Sequence, residues 1–212
     1  ELRRLIEEMG QSALVVQADA GIPSQVEAMF DAAIDQFGGI DIAVHNALYT
    51  KREFAVDLDL KDWQRAFAVA VDGGLIVGRR TGQDLIRRGV PGSITYISSI
   101  NAKGCPPRSI AYNAAKNAIR GLAYSLASEF VAHEVRVNVI QPGWIDTPGE
   151  RAFATEEQIR EGAKRMPFGR LGRPEEVANV VLFLASDLAS FVNGVTIRVD
   201  SGSSLRLSPL PK

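Results

Sequence analysis

A chain of 212 residues, 46% hydrophobic and 23% charged, is long enough for one buried core and too apolar for an acidic disordered protein. With 24 basic and 25 acidic side chains, the formal net charge of −1 removes the electrostatic case for nucleic-acid binding. No apolar run reaches the roughly 20 residues of a membrane helix. One cysteine, Cys105, excludes an internal disulfide, and two histidines, His45 and His133, leave little material for a metal centre. The opening residues lack a basic-then-apolar leader pattern, so the chain is expected to be cytoplasmic.

The segment Glu1–Gly10 reads as the end of an amphipathic helix stopped by glycine. Ala13–Asp19 is an expected strand. Ser24 with Glu27 has the form of a capping box and opens a helix that Gly38-Gly39 stops. Ile40–Asn46 is the next strand, followed by a helix from about Leu60 to Gly89. Ser93–Ser99 is a third strand, and a Gly/Pro-rich loop leads to a helix over Ser109–His133. Val135–Ile140 is a fourth strand, ending at Pro142-Gly143. Thr155 with Gln158 starts a short helix, Pro174 opens another through about Ser186, and Thr196–Asp200 is the last strand. The tail from Ser203 to Lys212 reads as loosely held. Val/Ile-rich strands, each followed by a helix, predict one α/β domain spanning residues 1–212: a doubly wound parallel sheet, Rossmann-like, with ligands at the carboxyl ends of the strands.

Tyr112-Asn113-Ala114-Ala115-Lys116 carries the strongest chemical signal, because residues four apart on a helix share a face. An ammonium there favours phenolate over phenol, and acid–base work near neutrality needs a fall of roughly 2–3 pK units. The spacing alone equally fits a helical tyrosine with an incidental lysine. Ser99 closes the third strand, 13 residues before Tyr112, at the usual ligand rim. It could hold the substrate oxygen whose proton Tyr112 exchanges, or simply cap the strand end.

Taken together, these motifs resemble the short-chain dehydrogenase/reductase family of the roughly 250-residue type, over Leu14 to about Gly202. The resemblance implies hydride transfer between NAD or NADP and a secondary alcohol/ketone pair, in the manner of glucose dehydrogenases or 3-oxoacyl-carrier-protein reductases. Ser99, Tyr112 and Lys116 correspond to the family's catalytic set. Asp19 and the Asn46-Ala47 pair correspond to the adenosine side. Pro142, Gly143, Ile145 and Thr147 correspond to the loop around the nicotinamide, whose ribose Tyr112 and Lys116 would also contact. Arg173–Ala178 and Val199–Gly202 resemble the C-terminal signature.

Three departures stand out. No Gly-x-x-x-Gly-x-Gly turn occurs, so the family's first strand–helix–strand unit, about 40 residues, is expected to precede Glu1 in a longer native protein. Ala70 stands where the family has an asparagine that holds a relay water, which predicts slower proton delivery. His45 and Leu48 replace the first Asn and the Gly of the family's Asn-Asn-Ala-Gly segment. His45 reads as a strand histidine rather than a metal ligand, and no metal is expected.

Residues 144–168, mixing Trp144, Phe153, Met166 and Phe168 with charges, read as a substrate lid. Small residues along the Ser109–His133 helix suggest a helix–helix interface in a homotetramer or homodimer. The partner is otherwise a small-molecule substrate, with no nucleic acid and no membrane. A non-catalytic oligomeric or regulatory protein is the competing reading, favoured by Ala70, Leu48 and the absent Gly-rich turn. A hydroxyacyl dehydratase or epimerase is the third.

Overall fold

The computed structural model describes residues 1–205. Chain order runs α1 (Leu2–Glu8), α2 (Pro23–Phe37), β1 (Ile42–His45), α3 (Leu60–Phe67), a π-turn (Ala68–Asp72), α4 (Gly73–Arg88), β2 (Gly92–Ile97), α5 (Asn101–Gly104), α6 (Ile110–Phe130), β3 (Val135–Pro142), α7 (Pro148–Arg151), α8 (Glu156–Lys164), α9 (Pro174–Ala185) and β4 (Thr196–Val199). The strands form a four-stranded, wholly parallel sheet in the order β1-β2-β3-β4, with helices on both faces, as expected of a doubly wound fold. The loosely held tail expected from Ser203 onward begins in a short 3-10 turn, Ser203–Leu205, and otherwise lies outside the described residues.

β2 and β3 are central and buried along nearly their whole length, which is why they read as continuous apolar runs. Their alternate residues feed two cores. Ile94, Tyr96, Val137 and Val139 join Val26 and Phe30 of α2, Ile76 of α4 and Ile119 of α6 on one face. Ile97 and Ile140 meet Leu184 of α9 and Ala189 on the other. In β1, only Ala43 and His45 are buried, while Ile42 and Val44 are exposed.

The strand expected over Ala13–Asp19 does not form. No strand among the described residues pairs with it, and Val15 is 69% exposed. A β-prone run without a neighbour has no ladder in which to satisfy its amides. The Ser24 capping box is likewise absent: Pro23 occupies the first turn of α2, Ile22 is the N-cap, and Gln25 Oε1 instead accepts from the Asp19 amide at 2.7 Å. The capping box at Thr155–Gln158 does form, in α8.

The long helix expected from Leu60 is interrupted by the π-turn, and α4 ends at Gly89 in the left-handed conformation. Close packing of α4 depends on Gly78: a Cβ there would overlap the Tyr96 hydroxyl and Leu126 Cδ1. Gly78→Ala gains at most ~1 kcal/mol of helix propensity, whereas overpacking beside a buried aromatic ring costs about 1–3 kcal/mol. The variant should therefore be less stable by about 1–2 kcal/mol in urea denaturation.

Candidate active site

The carboxyl ends of β1, β2 and β3 open into a cavity of about 1270 Å³. The chain forms it by leaving each strand in a turn: β1 into the 46–59 loop, β2 into the 98–109 loop, and β3 into the Pro142–Thr147 turn. Two further amide bonds carry the ladder past β2, from Ser98 N to Ile140 O at 2.8 Å and from Ile100 N to Pro142 O at 3.1 Å. Ser99 is held between them, and its Oγ accepts from the Asn101 amide at 3.1 Å.

α6 is docked against this strand end by reciprocal bonds. Ser98 Oγ donates to the Lys116 carbonyl at 2.7 Å, and Lys116 Nζ donates to the Ile97 carbonyl at 2.6 Å. Asn113 Nδ2 donates to Pro106 O at 3.1 Å, and Asn117 Nδ2 donates to Ala102 O, tying the intervening loop to the same helix. Asn113 Oδ1 is buried without a partner among the described residues.

Ser99, Tyr112 and Lys116 consequently line one cavity. The Ser99 hydroxyl is within hydrogen-bonding influence of the Tyr112 phenol and draws its pKa down, but burial outweighs this and holds the phenol above its ordinary range. Glu150 pushes in the same direction as burial, and Arg52 opposes it. Lys116 is 1% exposed, and burial lowers its pKa to about 8. Its Nζ lies 5.8 Å from the Tyr112 ring centroid, with its bond directed to Ile97. The two side chains share a face and a cavity as the spacing implied, but the protein alone does not deliver an acidified phenol.

Asn46, Pro142, Gly143, Ile145 and Thr147 line the same cavity. Asp19 and Ala47 do not. Asp19 receives two 2.7 Å bonds from Arg65 Nη2 and one at 2.8 Å from the Gly21 amide, and the Arg65 bond chiefly lowers its pKa.

His45 and Ala70, two departures read separately in the sequence, meet in space. His45 Nε2 donates to the Ala70 carbonyl in the π-turn at 3.0 Å, and its ring stands edge-on to Tyr96. Burial, aided by the Lys116 charge, lowers its pKa to about 4, so the imidazole is neutral near neutrality. Among the described residues no His, Cys, Asp and Glu cluster could hold a metal.

The side chains that sequence reading did not single out are Arg52 and Arg108 on the rim. Arg52 Nη2 donates to both Glu150 carboxylate oxygens at 3.1–3.2 Å, and Trp144 Nε1 donates to Glu150 Oε2 at 3.2 Å. Residues 98 apart in the chain leave no local signature of such a pair.

The family described as enoyl-(acyl carrier protein) reductase matches residues 1–204. The 3beta-hydroxysteroid dehydrogenase 1 of Eggerthella lenta is 37% identical over 206 residues, 97% of this chain and 79% of that protein. The glucose 1-dehydrogenase 2 of Bacillus subtilis is 31% identical over 99% of this chain and 82% of its own length. The chain belongs to the short-chain dehydrogenase/reductase family. A crystal structure of a gluconate 5-dehydrogenase from Burkholderia cenocepacia in complex with NADP and tartrate superposes with a TM-score of 0.90 at 30% identity, over 97% of this chain and 81% of that one. The named relatives are dehydrogenases, and the chain is an oxidoreductase of the kind that acts on CH–OH groups. Among the described residues, no helix is long and apolar enough to cross a membrane.

The neutral His45 has a stability signature. Its folded pKa lies below the ordinary histidine value, so the unfolded chain binds more protons between about pH 4 and pH 6.5. Stability falls as pH drops through that window, by up to about 3 kcal/mol, and His45→Gln should flatten the slope in denaturant titrations across it. For Lys116, burial of the charge costs stability below about pH 8. Lys116→Met removes that cost but leaves the buried Ile97 carbonyl without its side-chain donor, so in urea denaturation the two effects should offset to within about 2 kcal/mol at pH 7, and the variant should lose the parent's gain in stability as pH rises above about 8.

Proposed function

We propose that the protein is an NAD(P)-dependent oxidoreductase interconverting a secondary alcohol and a ketone, with Tyr112 as acid/base assisted by Ser99 and Lys116. The observation that carries this reading is the convergence of the Ser99 hydroxyl, the Tyr112 phenol and a buried ammonium on one cavity at the strand ends. The relatives' names, which cover a sterol, an aldose and gluconate, support a carbinol substrate, and the NADP complex supports a nicotinamide cofactor.

The residues present fit such a cofactor on its nicotinamide side. Lys116 Nζ makes one hydrogen bond within the protein and has two further N–H groups for a ribose. The Pro142–Thr147 turn borders the same space, with Asn46 across from it. When bound, the cofactor supplies the hydride acceptor or donor and, when oxidised, a positive ring beside the phenol. Ser99 Oγ holds the substrate oxygen, and Tyr112 Oη takes its proton in oxidation and returns it in reduction. Residues 144–168 act as the lid: Trp144, Glu150, Phe153 and Met166 face the cavity, while Phe168 is exposed. A homotetramer is part of the same reading, supported by a partly exposed row on α6 that includes Ala118, Gly121 and Ser125. A cytoplasmic location accords with the balanced charge and single cysteine. A non-catalytic, ligand-binding role is the second reading. It is favoured by the raised phenol and by the lysine's engagement with Ile97.

Tyr112→Phe should lower the turnover number by about 10²–10⁴-fold with circular dichroism unchanged. Measurable NAD(P)H binding without turnover of any alcohol or ketone by the parent supports the second reading instead. Because the phenol sits above its ordinary pKa, the phenolate fraction grows with pH. Alcohol oxidation should climb into the alkaline range while ketone reduction does not, as pH–rate profiles in both directions would reveal.

A further inference from the structure

Two loops form the rim of the cavity opposite the lid. A parallel bridge between Glu53 and Ser109 joins them, and Arg108 Nη2 donates to the Arg52 carbonyl at 3.4 Å. Both arginines line the cavity with Tyr112. The Arg108 guanidinium lies 5.4 Å from the Phe54 ring centroid, and that of Arg52 lies 4.4 Å from Phe153. Each cation thus has an aromatic face within cation–π reach.

Charge accounting singles out Arg108. Lys51 is held by Glu53 and Asp62, and Arg52 by Glu150. Among the described residues no carboxylate pairs with Arg108. Each guanidinium carries five N–H donors, yet the hydrogen bonds here use only the Nη2 group of each. The remaining N–H groups are open to a ligand in the cavity that both arginines line with Tyr112, and the Arg52 charge reaches the Tyr112 phenol. Apart from Lys116, whose ammonium is bonded to the Ile97 carbonyl, Arg108 is the unbalanced cation of the cavity among the described residues; one such cation on the rim matches a singly charged, planar anion better than a dianionic phosphate, and fork-shaped recognition of carboxylate is what arginine geometry favours.

We propose that Arg108, with the free edge of Arg52, binds a carboxylate group on the substrate, so that the protein acts on secondary hydroxy acids and the corresponding oxo acids rather than on neutral alcohols. The substrate class rests on the oxidoreductase reading; the anion site does not.

Binding is measured without cofactor, in a Trp63→Phe background that leaves Trp144 as the reporter beside Glu150. Cyclohexanecarboxylate should bind at least about 10-fold more tightly than cyclohexanecarboxamide, the scale of one charge-assisted hydrogen bond. Arg108→Gln should remove that preference, and Arg108→Lys should restore part of it. Equal binding of acid and amide, or a preference that survives Arg108→Gln, overturns the site. A panel of secondary hydroxy acids and their methyl esters is then assayed with NAD and NADP, where Arg108→Gln should lower the acid-to-ester ratio of kcat/KM by about 10- to 100-fold. Esters turned over as well as acids overturn the substrate class and leave the oxidoreductase reading intact. Acid-selective binding that Arg108→Gln removes, with no turnover of any member or of any neutral secondary alcohol or ketone, overturns the oxidoreductase reading and keeps the anion site.

Discussion

Between the end of β2 and the middle of α6 run two hydrogen bonds in opposite directions, from Ser98 to the Lys116 carbonyl and from Lys116 to the Ile97 carbonyl. Each end of the contact supplies a side chain to the other's backbone, so neither sliding nor rotation of the helix is possible without exposing a buried polar group. An orphaned carbonyl or ammonium in that dry setting costs more than the bond itself contributes. The pairing fixes which residue follows Ser98 at the rim and which lies one turn before Lys116. Ser99 and Tyr112 face one another as a geometric consequence.

The same lysine sets the electrostatics of its surroundings. Burial makes its charge costly, and its field helps keep His45 neutral. The neutral imidazole donates to the Ala70 carbonyl at the π-turn, while Tyr96, packed edge-on to it, donates to the Gly74 carbonyl at 2.8 Å. Two sheet side chains thus satisfy carbonyls at the irregular junction between α3 and α4. A histidine on β1 and an alanine in the π-turn form one local arrangement.

Around this rigid centre the rim and lid are joined by long-range polar contacts. Arg52 bridges the loop after β1 to Glu150 of α7, and Trp144 reaches the same carboxylate. α8 is anchored by its capping box and by Ile159, with Trp144 against Gly162 so closely that a side chain there would overlap the indole. The chemistry therefore has fixed walls on the strand and helix side, and walls of charged and aromatic side chains on the substrate side.

Local patterns determined a good deal. Val- and Ile-rich runs marked β2 and β3 because central parallel strands are buried on both faces, and Thr155-x-x-Gln158 marked α8 because its cap needs no distant partner. The i, i+4 spacing placed Tyr112 and Lys116 on one helical face, and Ser99 at a strand end. Tertiary structure decided everything that depends on a partner. Ala13–Asp19 has strand composition but no neighbouring strand, and Ser24 lost the cap to Ile22 once Pro23 entered the first turn. Whether Lys116 acidifies Tyr112 depended on where its ammonium points and how dry the site is, and Asp19 was drawn to Arg65 rather than to the cavity. Spacing along a chain specifies which side chains share a face. Burial, and the direction of a hydrogen bond between segments far apart in sequence, exist only once the chain has folded.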